Sequence, residues 1–375
     1  MIVRAAFCLA VACCFTPIPA LAAIFTGLGF LPNGSRLESL AQGVSADGSV
    51  VVGRGEFASG QDEAFRWTQT TGMVGLGSLP SSVPASFAHA ASSNGAVVVG
   101  QSAGAFIWTA SGRMIIADSP SGALFNSVSA DGVIAVGYIP ASGGTQATRW
   151  TASTLFQGLG FLPGQSSSDA HDISNDGTTI IGVSEGGNGL APAAFRWTQA
   201  TGMVALSPPD IHNASDAFGV SADGSVIVGQ YGSDAFRWTT ANGIVILGDV
   251  PDGLTNSTAF AVSADGSIVV GKANSVSRGF EAFIWDAANG MRSLQDVLTN
   301  SYGLDLSGWT LYEGLDISAD GRTIVGDGMD PNGHLEAFVV VLPEPSAIIV
   351  LGTGLAMLLA VQFTRRRKCE GSKSR

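Results

Sequence analysis

The stretch Val220–Trp238 reads Val-Ser-Ala-Asp-Gly-Ser-Val-Ile-Val-Gly, then a short polar loop, then Asp-Ala-Phe-Arg-Trp, and its pattern recurs along the chain. Asp and Gly tolerate the positive φ angles of tight hairpin turns, so the Asp-Gly pair predicts a turn between two strands. The branched apolar run after the turn predicts a strand buried on both faces. The Phe and the Trp are two residues apart, which places them on one face of the next strand.

Alignment on this turn gives seven copies: Ser45–Gly48, Ser92–Gly95, Ser129–Gly132, Ser174–Gly177, Ser221–Gly224, Ser263–Gly266 and Ser318–Gly321. Successive copies lie between 37 residues apart (Asn94 to Asp131) and 55 residues apart (Asp265 to Asp320). This spacing suits a unit of several strands and is far longer than the coils of β-helix repeats. Each unit contains four candidate strands, and the third carries the Ala-Phe-Arg-Trp pattern.

The last third strand, Ala337–Val341, is followed by Pro343 and not by a fourth strand. Ile24–Phe30 is similar to the fourth-strand segment Thr154–Phe161, so we expect the N-terminal segment to complete the last unit. Closure of this kind leaves only short sheet edges. The sequence therefore predicts an all-β, seven-bladed β-propeller over residues 23–342, closed by its N-terminal strand. Because the copy lengths vary, a solenoid or two packed β-domains is the alternative.

The N-terminal segment has the features of a secretory signal peptide over residues 1–22. Arg4 is followed by the uncharged run Ala5–Phe15, by Pro17 and Pro19, and by Ala-Leu-Ala ending at Ala22. A positive region, an apolar region and a small-x-small site in this order predict cleavage after Ala22. The apolar run is too short for a membrane-spanning helix.

The C-terminal segment, residues 343–375, combines three adjacent features. Pro343, Glu344 and Pro345 precede the uncharged run Ser346–Phe363, and a basic cluster follows at Arg365, Arg366, Arg367 and Lys368. Eighteen residues at about 1.5 Å rise each are just long enough for a transmembrane helix. The basic cluster would stay cytoplasmic, which leaves the propeller outside the inner membrane.

These features resemble two known families. The repeats over roughly residues 24–341 are similar to the HAF family of extracellular repeat proteins, which implies a surface or secreted location. The family's His is replaced here by Glu63, Gly104, Gln146, Ala193, Asp234, Glu281 and Glu336. The tail resembles the PEP-CTERM sorting signal of Gram-negative bacteria. That resemblance implies recognition by a membrane-embedded exosortase, removal of the tail near Pro343–Pro345, and association with exopolysaccharide or biofilm matrix. A plain C-terminal anchor is the alternative.

Composition limits the possible chemistry. The cysteines are Cys8, Cys13, Cys14 and Cys369, so residues 23–342 contain none and can hold no disulfide, catalytic thiol or cysteine–metal site. The same residues carry 11 Lys or Arg and 28 Asp or Glu, a formal charge of −17. Nucleic-acid binding depends on cationic contacts to phosphates, so we expect no nucleic-acid partner.

The repeated polar residues favour structural roles, so we expect no catalytic residue, metal site or cofactor. In each Asp-Gly turn the acid stands nearly alone, whereas a calcium loop needs several oxygen ligands that converge within a dozen residues. The Gly-x-Ser-x-Gly match at Gly100–Gly104 precedes a strand and not the helix of a nucleophile elbow. The histidines have no metal-ligand spacing, and His171-Asp172 is interpreted as a turn-supporting pair. The recurring Arg side chains suggest contacts between blades, and the recurring Trp side chains suggest core packing.

Function is expected in the variable loops that follow the second strand of each unit, because binding sites commonly lie in loops on a rigid scaffold. The candidate ligand-binding residues in or beside these loops are Tyr138, Glu185, Tyr231, Lys272 and Asp327. We expect a non-enzymatic binding or structural module at the cell surface or in the extracellular matrix. A carbohydrate-active hydrolase or lyase is the alternative and would need converging carboxylates or a His, Tyr and Arg set in the central channel. A structural surface-layer component is a third possibility.

Overall fold

The computed structural model describes residues 22–343 except 33, 35–36, 58–59, 82–83, 112, 117–118, 188 and 209–212. The predicted signal peptide and the predicted apolar tail with its basic cluster lie outside the described residues, as do Glu344, Pro345, Arg365, Arg366 and Arg367. Within the described part of the chain, no helix is both long enough and apolar enough to span a membrane.

The described chain forms seven four-stranded antiparallel sheets, the blades of a β-propeller. Blades 1 to 4 consist of β2 (Ser39–Val44), β3 (Val50–Glu56), β4 (Asp62–Thr68) and β5 (Gly72–Gly75); β6 (Phe87–Ala91), β7 (Val97–Gln101), β8 (Ala105–Thr109) and β9 (Arg113–Ile116); β10 (Leu124–Val128), β11 (Ala135–Ala141), β12 (Gly144–Thr151) and β13 (Leu155–Gly158); β14 (Ser167–Ile173), β15 (Thr179–Glu185), β16 (Ala193–Thr198) and β17 (Gly202–Ala205).

Blades 5 to 7 consist of β18 (Ser215–Val220), β19 (Val226–Tyr231), β20 (Asp234–Thr239) and β21 (Gly243–Ile246); β22 (Gly253–Val262), β23 (Ile268–Ser275), β24 (Gly279–Asp286) and β25 (Gly290–Ser293); β26 (Thr310–Ile317), β27 (Thr323–Met329), β28 (Leu335–Val341) and β1 (Ile24–Gly27). Between blades 6 and 7 the chain forms α1 (Leu294–Asp296) and a π-helical turn over Val297–Ser301. The seven-bladed, all-β prediction is confirmed.

The core consists of apolar clusters that join neighbouring blades. The Phe of the third strand is completely buried in six blades: Phe65, Phe106, Phe195, Phe236, Phe283 and Phe338. In blade 3 the equivalent residue is Thr148, whose buried hydroxyl donates to the carbonyl of Gln157 at 3.0 Å. The Nε atoms of Arg66 and Arg237 each donate to a glycine carbonyl of the next blade at 3.3 Å, as predicted for the recurring arginines.

The Ser-x-Asp-Gly turn is held by its own side chains. In blade 5, Ser221 Oγ donates to Asp223 Oδ1 at 2.8 Å and accepts from the backbone N–H of Val226 at 3.0 Å. The backbone N–H of Ser225 also donates to Asp223 Oδ1, at 2.9 Å. These bonds use the Asp as a turn acceptor, so the structural interpretation of the repeated Asp is confirmed.

Among the described residues, backbone hydrogen bonds between these turns join six of the seven neighbouring blade pairs, and we call this set of bonds the turn belt. The N–H of Ala264 in blade 6 donates to Ala319 of blade 7 at 3.1 Å, and Ala319 donates to Ala46 of blade 1 at 3.0 Å. Equivalent bonds join Asp47 to Ser93, Ser93 to Ala130, Ala130 to Asn175, and Ala222 to Ala264. The belt passes directly from the last blade to the first, as a closed ring requires.

The N-terminal strand closes the ring as predicted. Strand β1 pairs antiparallel with β28, with Ile24 opposite Val341 and Gly27 opposite Phe338. Phe25 packs against Phe338 and Trp309, with ring centroids 5.5 Å and 5.0 Å apart. This pairing makes a closed propeller, and the alternative of a solenoid or two packed β-domains is wrong.

Each innermost strand carries a β-bulge opposite the glycine that ends the Val-Val-Gly pattern. In blade 1 the pairing of β2 with β3 shifts between Ala41 and Gly43, which leaves Gln42 without a partner residue. A Cβ added to Gly53 would collide with the carbonyl oxygen of Leu40. An added Cβ would also collide with the carbonyl oxygen of the residue two positions before the bulge residue at the equivalent glycines of the other blades: Gly100, Gly137, Gly182, Gly229, Gly271 and Gly326. Close approach of two backbones therefore requires these glycines.

We predict that Gly53→Ala destabilises the protein by about 1–3 kcal/mol or more, because a methyl group has no space beside Leu40. Gly55→Ala is the matched control, since it lies two residues further on β3 and its nearest neighbour would be 3.3 Å away. Chemical denaturation of both variants measures the difference. Equal effects would show that the bulge does not require the glycine.

We also predict that Leu28→Ala, directly after β1, lowers the free energy of unfolding by about 2–5 kcal/mol, because Leu28 is only 5% exposed. Ile24→Ala is the control on β1 itself, where the side chain is 50% exposed, and should change stability by less than about 1 kcal/mol. Removal of Ala23–Leu31 should open blade 7 and destabilise more than either substitution. A stable deletion variant would contradict N-terminal closure.

Candidate binding site at the central channel

The seven unpaired residues at the bulges that lie opposite these glycines, termed the bulge residues, differ in type from blade to blade. They are Gln42, His89, Asn126, His171, Phe218, Phe260 and Leu315. A β-bulge re-aims a side chain that regular pairing would place elsewhere. The strands around the bulges are alike in all blades, whereas the bulge residues vary. The blades therefore differ in chemistry at the ring that the seven bulge residues form.

Polar bulge residues of blades 2 to 4 each bond to the following blade. His89 Nδ1 donates to the carbonyl of Phe125 at 2.8 Å, and Asn126 Nδ2 donates to the carbonyl of Ala170 at 2.9 Å. His171 Nδ1 donates to the carbonyl of Ala217 at 3.1 Å. Each carbonyl belongs to the residue just before the next bulge, so the bulge residues form a connected arc around the axis.

Aromatic bulge residues continue this arc into blades 5 and 6. His171 stacks on Phe218 with ring centroids 5.3 Å apart and planes 6° apart. Phe218 meets Phe260 edge to face at 5.8 Å. Lys272 Nζ lies 5.3 Å from the centroid of Phe260 and forms an ion pair with Glu313 at 3.0 Å. We call the bulge residues together with Asp169, Asp216, Lys272 and Glu313 the channel mouth.

His171 is the most strongly perturbed base of the channel mouth. Its Nδ1 lies 3.0 Å from Asp216 Oδ1, and its Nε2 lies 3.6 Å from Asp169 Oδ2. Burial alone would lower the pKa of His171, but the two carboxylates raise it well above its usual range. The two neighbouring acids therefore favour the protonated form of the imidazole. By contrast, burial lowers the pKa of His89 and favours its neutral form.

An axial cavity of about 110 Å³ lies on the turn side of the bulge residues and is lined by all seven innermost strands. Two of its lining residues are acids, Asp172 in blade 4 and Asp316 in blade 7. The equivalent positions in the other blades hold small residues: Gly43, Ala90, Ser127, Gly219 and Ala261.

Both axial acids accept hydrogen bonds across blade junctions. Asp172 accepts from Ser127 Oγ at 2.7 Å and from the N–H of Val220 at 3.0 Å. Asp316 accepts from the N–H of Val44 at 2.8 Å. Burial raises the pKa of Asp172 to about 6 and that of Asp316 to about 7, and the Asp172 carboxylate contributes to the second shift.

The structure separates the five predicted binding residues into three groups. Tyr138 and Lys272 lie at or beside the channel mouth, and burial followed by the charge of Asp169 raises the pKa of Tyr138. Glu185 is exposed at the end of β15, and Tyr231 packs against the core between blades 4 and 5. Asp327 is only 8% exposed and accepts from the N–H of Ala41 at 3.0 Å, so it joins blade 7 to blade 1.

Sequence reasoning missed the main polar cluster. The interpretation of His171-Asp172 as a turn-supporting pair was wrong, because His171 bonds to neighbouring strands at the channel mouth and Asp172 faces the axial cavity. A usable signal was present: acids break a run of small residues one position before the repeated Val/Ile-Ser.

The acids and histidines that the structure describes do not include a group of three or more placed to hold a metal ion. His212 lies outside the described residues. Asp169 and Asp216 lie on either side of His171, at 3.6 Å and 3.0 Å from its ring nitrogens.

No protein-family model matches the sequence, and no curated protein sequence matches it. An oligogalacturonate lyase in complex with manganese is similar in structure, with a TM-score of 0.54 and 13% identity, covering 89% of this chain and 96% of that one. An oligogalacturonate lyase from Vibrio parahaemolyticus has a TM-score of 0.54 and 11% identity, covering 87% and 98%. A prolyl endopeptidase has a TM-score of 0.50 and 11% identity, covering 86% and 50%. At these identities the likeness shows the propeller fold alone.

We predict that Asp316 makes stability fall as pH rises from about 4 to about 7. The folded state holds the Asp316 proton up to a pKa of about 7, whereas the unfolded chain loses it near 3.8. The folded state therefore binds more protons in this window, and its stability decreases with increasing pH. The difference in unfolding free energy between wild type and Asp316→Asn should shrink there, by at most about 1.4 kcal/mol per pH unit.

Asp223→Asn is the control for this titration, because hydrogen bonds from Ser225 and Ser221 lower the pKa of Asp223. That carboxylate stabilises the fold above about pH 4, and its contribution is lost as the pH falls further. Denaturation curves between pH 3 and pH 8 measure both profiles. If the stability difference between wild type and Asp316→Asn does not change with pH, the pKa of Asp316 is not raised in the folded state.

Proposed function

We propose that this protein is an exported propeller that binds a saccharide at its channel mouth and acts as a surface or extracellular-matrix binding module. The observation that carries the proposal is the arc of bulge residues, in which a stacked aromatic pair lies directly beside charged and amide groups. His171 and Phe218 stack at 5.3 Å, and Asn126 reaches both Asp169 and Ala170.

The chemistry of this arc suits a sugar ring. Ligand sites commonly combine an apolar face with a few oriented polar groups. Phe218 and Phe260 offer aromatic surface for the C–H face of a pyranose, and Phe280 adds an exposed ring nearby. Asn126 and Asp169 supply amide and carboxylate groups that can bond to hydroxyls. Apart from Phe280, these residues lie on innermost strands, so the scaffold holds them rigidly.

The state of His171 favours binding over catalysis. A general base needs a free lone pair near the operating pH, and a general acid needs a proton directed at the substrate. Both ring nitrogens of His171 instead face carboxylates within 3.6 Å, and the pKa is raised well above its usual value. The axial acids Asp172 and Asp316 are engaged by backbone N–H groups. These contacts leave the carbohydrate-active enzyme as the second candidate.

Export is part of the proposal and rests on the sequence. The residues before Ala23 have the order of a secretory signal, and the Pro343–Pro345 motif precedes an apolar run and a basic cluster. We propose transport through the inner membrane, transient anchoring by the tail, and processing by an exosortase-like membrane enzyme. The proposed saccharide is then exopolysaccharide, with a surface protein as the alternative partner.

We predict that Phe218→Ala lowers the affinity for any saccharide found by glycan-array screening at least tenfold, because the variant loses the aromatic face beside His171. Asn126→Ala should weaken binding through lost polar contacts. Val133→Ala is the control, since Val133 is 55% exposed in a turn on the opposite face. Isothermal titration calorimetry measures the affinities.

Normal saccharide binding by both channel-mouth variants, with folding confirmed by circular dichroism, would refute this site.

Incubation of bound glycans with the wild-type protein tests the second candidate, a carbohydrate-active enzyme. Appearance of shorter or unsaturated products that is lost in His171→Asn would favour the hydrolase or lyase.

A further inference from the structure

On its turn side, the junction between blades 4 and 5 lacks two hydrogen bonds that recur elsewhere in the ring. Among the residues that the structure describes, no turn-belt bond joins Asn175 of blade 4 to Ala222 of blade 5, although both residues line the axial cavity. The recurring arginine of blade 4, Arg196, donates from Nη2 to Thr179 Oγ1 of its own blade at 3.1 Å. The junction of blades 1 and 2 and that of blades 5 and 6 have both bonds.

His171 joins blades 4 and 5 on the mouth side of the axial cavity. Its Nδ1 lies 3.0 Å from Asp216 Oδ1 and donates to the carbonyl of Ala217 at 3.1 Å, and its ring stacks on Phe218. All three partners lie on β18, the innermost strand of blade 5. One titratable side chain of blade 4 therefore makes a charge contact, a hydrogen bond and a ring contact across this junction.

Two further contacts cross the same junction. At the axial cavity, the Asp172 carboxylate accepts from the N–H of Val220 at 3.0 Å. On the loop side, the N–H of Ala194 donates to Ser215 Oγ at 2.9 Å, as equivalent groups do at other junctions. The loop side is thus held in the usual way, whereas polar contact nearer the turns depends on ionisable side chains.

Acids surround His171 from both blades. Six titratable side chains interact with His171 or with its neighbouring acids: Asp169 and Asp172 on β14, Asp216 on β18, His89 on β6, Tyr138 on β11 and Asp316 on β26. Burial lowers the pKa of His89 and favours its neutral form, so the positive charge of this set lies on His171. Loss of that proton leaves acids of blades 4 and 5 facing each other, and their repulsion favours separation.

We propose that the junction of blades 4 and 5 is the point at which the ring opens, and that the proton on His171 holds it closed. Opening moves Asp216 and Phe218 away from His171, so the channel mouth is complete only in the closed form. The regulatory role rests on the proposed binding at the channel mouth, whereas the opening itself does not.

The pKa of His171 sets the direction of the pH dependence. Burial lowers this pKa, but Asp216 and Asp169 raise it well above the usual histidine value of 6.5. The closed junction therefore binds the proton more tightly than an open, hydrated junction does. Its stabilisation is complete below about pH 6.5 and is lost as the pH rises through the raised pKa.

Thiol labelling measures the opening in the full chain, with its four native cysteines replaced by serine. Val220→Cys places a thiol at the junction of blades 4 and 5. Val262→Cys is the matched control, because Val262 has the equivalent position beside blade 5 and both valines are 8% exposed. Between about pH 6 and pH 9, the ratio of the two iodoacetamide labelling rates should rise by up to about tenfold per pH unit. The ratio cancels the pH dependence of the thiol reaction itself.

Two histidine variants assign the effect. His171→Gln is uncharged at every pH, so the ratio should be high throughout and independent of pH. His89→Gln should leave the rise of the ratio as in the wild type, because His89 is already neutral. A ratio that stays constant with pH when His171 is present, or that rises equally in His171→Gln, would overturn the proposal.

Amide hydrogen exchange of the wild type makes the same comparison without substitution. The N–H of Val220, bound by Asp172, should exchange progressively faster than the N–H of Val44, bound by Asp316, as the pH rises. Equal exchange of the two amides at every pH would show that this junction does not open. Neither measurement needs a saccharide, so failure of the saccharide proposal leaves the opening of the junction standing, and the reverse also holds.

Discussion

The architecture depends on the close approach of two backbones at the bulge of each innermost strand. In every blade a glycine stands opposite one bulge, and a side chain there would collide with a carbonyl of the neighbouring strand, as Gly229 would with the carbonyl of Asp216. The glycine is fixed by this contact, and the bulge in turn releases one residue per blade from the regular alternation of the strand. The bulge therefore explains both why the glycine recurs in every blade and why the bulge residue can vary.

Closure of the ring imposes a second requirement, because blades 7 and 1 are far apart in sequence and must meet. The turn belt, the pairing of β1 with β28, and the contact of Asp316 with the N–H of Val44 all act at this junction. At the junction of blades 4 and 5, Asp172 reaches the N–H of Val220. Buried carboxylates that bond backbone groups across junctions provide specific contacts, and burial makes their ionisation unfavourable, which raises their pKa.

The candidate site lies at positions where the repeats differ. An analysis of the recurring residues alone therefore does not find it. The loops after the second strands were a reasonable expectation, and Lys272 and Tyr138 do lie at or beside the channel mouth. Asp327 is buried between blades, because it lies within β27 and its carboxylate accepts a hydrogen bond from Ala41 of blade 1. His171 was assigned to turn support, because the bulge that directs it toward Asp216 and Phe218 depends on pairing between strands.

The sequence by itself determined the blade count, the four-strand unit, the turn chemistry and the closure of the ring by Ile24–Gly27, because each depends on local pattern and on repeat arithmetic. It also contained the exceptions at Asp172 and Asp316 as breaks in a run of small residues. Only the tertiary structure brought Asp169, His171 and Asp216 together, because their contact needs two blades side by side around one axis. Desolvation and charge at such a site arise from neighbours distant in sequence, so the channel mouth could be found only once the ring was closed.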